Sequence, residues 1–132
     1  MSTKIFLVED HPLMQRTLSE FIMRLPDFEV CGVVRTAENA LDRLGEAAPD
    51  LVLVDMSLPQ MNGAELIQII QIRWPGLRCI LLSGHGEENY VQQALNAGAR
   101  GYILKGRPAD IYTAFKHVIA GELYLSDGLQ YQ

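Results

Sequence analysis

The sequence predicts a single α/β domain, in which five strand–helix repeats, (βα)5, form a doubly wound parallel sheet. Five short apolar runs alternate along the chain with five segments whose apolar residues recur at helical spacing. The two most apolar runs, 4–8 and 51–55, show no alternation of polar and apolar residues, which is typical of parallel strands buried on both faces. Alternating strands and helices specify a parallel sheet with helices on both faces and right-handed crossovers.

The first half of the chain supplies three strands and two helices. The run 4–8 leads into a helix over 12–25, which has proline in its first turn and carries one apolar stripe. The segment 28–34 is strand-like, and its weak alternation favours a position at the edge of the sheet. A helix over 36–46 and a short turn then lead into the strand 51–55.

The second half adds two strands and three helices. A helix over 63–74 is stopped by a Pro-Gly pair, and the strand 78–82 follows it. A helix over 88–97 is followed by glycine, which suits the position after a helix C-terminus. The strand 101–104 and a helix over 108–120 complete the pattern. For a domain of this size we expect the flavodoxin-like strand order 2-1-3-4-5.

Composition and charge exclude several classes of protein. The chain has 132 residues, of which 48% are hydrophobic and 20% charged, as expected of a soluble globular domain. Its net charge of −5 argues against direct nucleic-acid binding by this chain, because phosphate contacts need a basic face. No apolar run reaches the length of a membrane span, and the N-terminus leads directly into a strand without a signal peptide. We therefore expect a cytoplasmic protein with no membrane partner, in which Cys31 and Cys79 are core thiols.

Polar side chains follow four of the predicted strands at the point where each strand ends: Glu9 and Asp10, Asp55, Ser83 and Lys105. The carboxyl ends of parallel strands meet at one edge of the sheet, where ligands bind in open α/β folds. If the first and third strands are neighbours, the three acids form a pocket, and a cation would relieve their mutual repulsion. A few oxygen ligands with room for water suit Mg²⁺.

This set of residues fits phosphoryl transfer to Asp55, because a carboxylate can act as a nucleophile and form an aspartyl-phosphate. Mg²⁺ would offset the charge between nucleophile and donor, while Lys105 and Ser83 would each bind a phosphoryl oxygen. Each residue also has an ordinary explanation: the acids as caps of helices or turns, Lys105 as a surface lysine and Ser83 as a turn former. Those explanations are favoured for single residues, but the shared edge favours a phosphoacceptor site.

The chain resembles the receiver domains of two-component response regulators over residues 4–125. The motifs that carry the resemblance are the acidic pair after the first strand, then Asp55, Leu58-Pro59, Asn62-Gly63, Ser83, Ala97-Gly98-Ala99, Tyr102 and Lys105. The segments 8–12 and 120–126 are similar to the subfamily that carries a LuxR-type helix-turn-helix output domain.

This resemblance implies that Asp55 is the phosphoacceptor and that a sensor histidine kinase phosphorylates it. It implies a Mg²⁺ ion that Asp10 binds directly and Glu9 through water. Asp55 and the main-chain carbonyl of Ser57 would be its other ligands. Lys105 would bind the phosphoryl group.

The resemblance also assigns a switch. Ser83 would move toward the phosphoryl group, and Tyr102 would change rotamer behind it. The side chains of Ser57 and His85, each two positions after a site residue, would tune how long the phosphate survives. Such a protein is not an enzyme in the ordinary sense, since it accepts a phosphoryl group and catalyses at most its own phosphorylation and dephosphorylation.

The chain departs from the family pattern at Glu9, where Asp is commoner, and at Gly106, where many relatives have proline, so a cis Lys-Pro bond is not expected. We predict a receiver domain over 1–122. Residues 123–132 are predicted to be a C-terminal tail or the start of a linker to a DNA-binding output domain that is absent from this chain. A single-domain regulator is the alternative.

Three other functions compete with this interpretation. A flavin-binding protein of similar fold needs a phosphate loop rich in Ser, Thr and Gly after the first strand, where this chain is acidic. A phosphohydrolase with an aspartate nucleophile needs a second Asp at the position of Ser57. A receiver-like interaction module that is never phosphorylated is disfavoured by the complete set of site residues.

A partner surface is less clearly marked in the sequence. Leu13, Met14, Tyr112 and His117 lie on the first and fifth predicted helices, either as part of such a surface or as scattered surface residues. The resemblance implies either this face or the face formed by the fourth helix, fifth strand and fifth helix. We expect homodimerisation to be weak or to depend on phosphorylation.

Overall fold

The computed structural model describes residues 2–129, which form six strands and five helices. The strands are β1 (Thr3–Val8), β2 (Phe28–Val34), β3 (Leu51–Asp55), β4 (Arg78–Ser83), β5 (Gly101–Leu104) and β6 (Tyr124–Leu125). The helices are α1 (Pro12–Met23), α2 (Ala37–Ala47), α3 (Gly63–Arg73), α4 (Glu88–Ala97) and α5 (Pro108–Ile119). All strands pair in parallel in the order β2-β1-β3-β4-β5-β6, which confirms the predicted doubly wound fold and the order 2-1-3-4-5.

The sixth strand extends the sheet beyond β5 and was not predicted. Tyr124 and Leu125 pair in parallel with Gly101 and Tyr102. Two residues are too few to show an apolar period, so the sequence pattern does not mark them as a strand. This strand lies within the predicted tail 123–132, whose last three residues are outside the described range.

Packing on both faces makes β1 and β3 interior strands of the sheet. Every residue of Leu51–Asp55 is at most 1% exposed. Because side chains alternate along a strand, Phe6 and Val54 face the core formed with α2, α3 and α4, whereas Ile5 and Leu53 face the core formed with α1 and α5. The helices therefore cover both faces and leave the carboxyl ends of the strands as an open edge.

The strand β2 lies at the edge of the sheet, as predicted, and carries a bulge. Ile5 pairs with Val30 and Phe6 with Gly32, so the register skips Cys31. A β carbon at Gly32 would come within 2.7 Å of the Phe6 ring, so glycine lets that ring pack beneath the strand. The bulge interrupts the alternation of the strand, which explains why its pattern is weak.

The segment after β6 is fastened to the rest of the domain by Ser126, which is 3% exposed. Its hydroxyl accepts the N–H of Leu104 at 3.2 Å and donates to Asp110 Oδ2 at 2.8 Å. Arg107 Nη1 donates to the carbonyl oxygen of Asp127 at 2.8 Å. These contacts hold the C-terminal segment against the carboxyl end of β5 and the start of α5.

Both cysteines are free thiols. Cys79 is buried, as predicted, and burial raises the pKa of its thiol to about 12. Cys31, in the bulge of the edge strand, is half-buried rather than fully in the core. Among residues 2–129, no helix combines the length and apolar character needed to cross a membrane.

Candidate functional site

Asp55 ends β3, and its carboxylate lies at the carboxyl edge of the sheet with 1% exposure. Lys105 follows β5 and places Nζ 2.9 Å from Asp55 Oδ1. The N–H of Ser57 donates to the same oxygen at 3.3 Å. The other oxygen, Oδ2, is buried and finds no hydrogen-bond partner among residues 2–129. One oxygen is therefore held in place, while the second is left for a nucleophilic or metal-binding role.

The loop after Asp55 is positioned by the start of α3. Asn62 and Glu65 form a capping box, in which each side chain accepts the other residue's N–H at 2.9 Å. The N–H of Gly63 donates to the carbonyl of Met56 at 2.9 Å. A β carbon on Gly63 would overlap the carbonyl oxygen of Asp55, so glycine allows α3 to begin directly against the end of β3.

Glu9 follows β1 and is fully buried beside Asp55. Burial raises the pKa of the Glu9 carboxyl, and the charge of Asp55 raises it further, although the N–H of His11 and the charge of Lys105 lower it. Glu9 Oε2 accepts the His11 N–H at 3.0 Å, whereas Oε1 has no hydrogen-bond partner within the described chain. Gln15 Nε2 donates to the main-chain carbonyl of Glu9 at 2.7 Å and thereby holds the turn between β1 and α1.

The residues at this edge fit a divalent cation. Glu9, His11 and Asp55 each place one potential ligand atom within 4.8 Å of the other two. The unpartnered Glu9 Oε1 and Asp55 Oδ2 are buried oxygens that a cation would satisfy. Mg²⁺ prefers such oxygen ligands and keeps several waters. Asp10 is half-buried, and in the described part of the chain it does not belong to this group.

Ser83 and Tyr102 are connected through the main chain of His85. The Ser83 hydroxyl accepts the N–H of His85 at 3.0 Å, and the Tyr102 hydroxyl donates to the carbonyl of His85. Both residues are buried, whereas the His85 side chain is exposed and stacks on Tyr90 with ring centroids 4.5 Å apart. Burial raises the pKa of Tyr102, and the neighbouring Ser83 hydroxyl offsets part of that rise.

The structure gathers the predicted site residues into two groups at one edge of the sheet. The first group holds Asp55, Glu9, Ser57 and Lys105, and the second holds Ser83, Tyr102 and His85. Sequence reasoning missed His11 and Gln15. A histidine two residues after the site carboxylate Glu9, in the same turn, is a sequence feature that could have indicated His11 as a site residue. The hydrogen bond from Gln15 to the Glu9 carbonyl depends on the conformation of the turn, which no sequence pattern predicts.

Residues 5–116 match the family described as response regulator receiver domain. Over 123 residues the chain is 33% identical to the transcriptional regulatory protein DegU of Brevibacillus brevis, covering 92% of this chain and 52% of that protein. Over 125 residues it is 34% identical to the DNA-binding transcriptional activator DevR/DosR of Mycobacterium tuberculosis, covering 94% of this chain and 58% of that protein. The chain thus spans little more than half the length of these relatives.

Solved structures agree with this relationship. A LuxR-family two-component response regulator from Aurantimonas sp. superposes with a TM-score of 0.92 at 29% identity, covering 96% of this chain and 91% of that chain. A CheY-like response regulator receiver domain protein from Methanospirillum hungatei superposes with a TM-score of 0.82 at 26% identity, covering 92% and 96%. The chain belongs to the receiver domains of two-component response regulators, and its relatives include LuxR-type transcriptional regulators.

Proposed function

We propose that this receiver domain accepts a phosphoryl group on Asp55 in a Mg²⁺-dependent transfer from a sensor histidine kinase. The Asp55 carboxylate carries the proposal, because it is buried, pairs one oxygen with Lys105 at 2.9 Å and leaves the other without a partner among residues 2–129. Attack by a carboxylate oxygen forms the O–P bond as the P–N bond to the kinase histidine breaks, and the departing imidazole takes the electron pair.

The electrostatics of the site support the need for a cation. Asp55 and any phosphodonor are both anionic, and Glu9 is buried beside them. Bound Mg²⁺ would neutralise charge between nucleophile and donor. The residues that would hold it are Glu9, Asp10, Asp55 and Ser57, the last through its main-chain carbonyl. Lys105 already contacts Asp55 and would bind a phosphoryl oxygen there.

We propose that Ser83 and Tyr102 act as the switch through the main chain of His85. A Ser83 hydroxyl that turns to a phosphoryl oxygen gives up the His85 N–H that it now accepts. The loop is then free to move, and Tyr102 can leave the His85 carbonyl and change rotamer. Phosphorylation shifts this equilibrium only as far as the active state binds the phosphoryl group better. The exposed side chains of Ser57 and His85 would tune how long the phosphate survives.

Because the relatives are about twice as long, we propose that this chain is the receiver part of a cytoplasmic transcription regulator whose DNA-binding output domain lies beyond it. A single-domain regulator is the alternative.

Leu13, 75% exposed on α1, with half-buried Met14 and Tyr112, supplies apolar surface for a dimer that is weak or depends on phosphorylation. A tight dimer of the unmodified chain in a sedimentation measurement would contradict that part of the proposal.

Intact mass spectrometry after incubation with Mg²⁺ and acetyl phosphate tests the acceptor. We expect the wild-type chain to gain one phosphoryl group, and Asp55→Asn to gain none. Asp50→Asn is the matched control, because Asp50 lies just before the other end of the same strand, where its carboxylate accepts the N–H of Lys4 at 2.8 Å. This variant should be phosphorylated like the wild type.

Two results would overturn this assignment. Equal gain of mass in wild type and Asp55→Asn would show that another residue is the acceptor. No gain in the wild type, from acetyl phosphate or from a histidine kinase, would favour an interaction module that is never phosphorylated. Chelation of Mg²⁺ should abolish the gain, and gain that persists in chelator would remove the cation from the proposal.

A further inference from the structure

The turn between β1 and α1 places an imidazole at the cation site. His11 is the N-cap residue of α1, yet in the described structure its side chain makes no capping hydrogen bond. Ser, Thr, Asp and Asn are preferred at this position, because their side chains accept N–H groups of the first turn. Helix capping therefore does not explain where the His11 side chain lies.

The His11 side chain is 65% exposed, and its ring brings Nδ1 next to the buried carboxylate of Glu9. Its Nδ1 lies 3.4 Å from Glu9 Oε2, which is long for a hydrogen bond, and the His11 main-chain N–H already donates to that oxygen at 3.0 Å. A ring nitrogen of His11, an oxygen of Glu9 and an oxygen of Asp55 all lie within 4.8 Å of one another. Ligand atoms around a single ion have this spacing, since metal–nitrogen and metal–oxygen distances are about 2.0–2.2 Å.

An independent observation also points to a cation between these residues. Glu9 is 0% and Asp55 1% exposed, and each carries a buried carboxylate oxygen without a hydrogen-bond partner in residues 2–129. Buried carboxylate oxygens are normally paired or bound to metal, because leaving them unpaired is unfavourable. Both unpartnered oxygens belong to residues that also contribute to the group with His11.

We propose that His11 is a nitrogen ligand of this cation, and that it makes the site bind later first-row divalent cations, such as Co²⁺, Ni²⁺ and Zn²⁺, more tightly than Mg²⁺. Mg²⁺ suits oxygen ligands, whereas imidazole suits the later transition metals, whose affinity for such sites also rises from manganese to copper. This inference rests on the cation site of the proposed function, and it adds a donor that an all-oxygen site lacks.

Titration of the chain with Co²⁺ and with Mg²⁺, followed by calorimetry, tests the selectivity. His11→Asn replaces the ring nitrogen with an oxygen donor, and we expect it to lower Co²⁺ affinity by about tenfold or more while Mg²⁺ affinity stays within about twofold. His11→Ala should lower Co²⁺ affinity at least as much. His117→Ala is the matched control, because His117 lies in the last turn of α5, where its ring contacts Glu122 at 2.7 Å. This change should leave Co²⁺ binding at the site unchanged.

Proton NMR of the Co²⁺-loaded chain gives a readout that does not depend on phosphorylation. We expect a strongly shifted, solvent-exchangeable imidazole N–H resonance in the wild type and in His117→Ala, and its loss in His11→Asn. Binding that needs Asp55 and Glu9 but is unchanged in His11→Asn, with no such resonance, would overturn the role of His11 and leave the proposed function intact. Binding that is insensitive to Asp55→Asn and Glu9→Gln would overturn both, since no cation would then occupy this site.

Discussion

Gly63 lies directly against the main chain of Asp55. A β carbon at position 63 would overlap the Asp55 carbonyl oxygen and would come within 2.8 Å of Leu81 Cδ1. The Leu81 side chain could move, but the carbonyl belongs to the main chain of β3 and cannot rotate away. The first residue of α3 is thus fitted to the last residue of β3, and this contact sets the loop that follows the proposed phosphoacceptor.

We expect Gly63→Ala to lower the free energy of unfolding by about 3 kcal/mol, because the main chain must shift to accept the methyl group. Gly45→Ala is the matched control, since Gly45 is exposed in α2 and a β carbon there would meet only Trp74, at 3.8 Å. This second change should raise stability by about 0.5–1 kcal/mol. Urea unfolding followed by circular dichroism measures both, and equal effects would contradict the close contact.

Ala48→Gly should stabilise the domain by about 1 kcal/mol. Ala48 ends α2 in the left-handed region with φ 47°, a conformation that is unfavourable for residues with a β carbon and favourable for glycine. The neighbouring Ala47→Gly changes the last residue of α2, which is still helical, and should lower stability. Thermal unfolding of the two variants measures both changes in stability. A loss of stability in both would contradict the conclusion that the left-handed conformation of Ala48 is unfavourable.

Ser126→Ala should lower stability by about 2 kcal/mol, since it removes two partly buried hydrogen bonds and leaves the Leu104 N–H and the Asp110 carboxylate without this partner. Thr17→Ala, which removes an exposed hydroxyl that donates to the Leu13 carbonyl, should change stability by less than about 0.5 kcal/mol.

Removal of 123–132 should lower stability further than Ser126→Ala, because it also deletes β6. An unchanged urea midpoint in the shortened chain would support a domain boundary at residue 122.

The stability of the domain should fall in alkaline solution through Cys79. Burial raises the pKa of its thiol in the folded state to about 12, from an ordinary value of 9.0. Between these values the unfolded chain loses the proton and the folded chain keeps it, so stability decreases by about 1.4 kcal/mol for each unit of pH above 9.0. This contribution is fully present below that pH.

Comparison of the wild type with Cys79→Ala isolates this effect. Tyr102 and Tyr124, whose pKa values burial also raises, are present in both proteins and therefore cancel. Between about pH 8 and about pH 10, the wild type should lose roughly 1.4 kcal/mol more stability to urea than the variant. Parallel losses would mean that the thiol is not shielded in the folded state.

Long apolar runs made the central part of the fold predictable. The runs 4–8 and 51–55 can be buried on both faces only in the interior of a parallel sheet, and the structure makes β1 and β3 interior strands. The site residues follow from the same reasoning, because topology alone brings Glu9, Asp55 and Lys105 to one edge.

Features set by tertiary contacts were not predictable in the same way. The strand β6 is defined by its pairing with β5, and the bulge in β2 by the fit of Phe6 beneath Gly32. The direction of each side chain in the turn after β1 is also set by contacts. There His11 faces the carboxylates, whereas Asp10, which the resemblance implies as a metal ligand, is half-buried and lies outside the group of ligand atoms in the described chain.

The position of the phosphoryl group tests the proposed function most directly. The wild-type chain would be treated with Mg²⁺ and acetyl phosphate, reduced with borohydride, which converts an aspartyl-phosphate to homoserine, and then digested for peptide sequencing by mass spectrometry. We expect homoserine at position 55, with Asp10 and Asp50 unchanged. Homoserine at any other aspartate, or an unmodified Asp55 in a chain that has gained a phosphoryl group, would contradict the proposal that Asp55 is the acceptor.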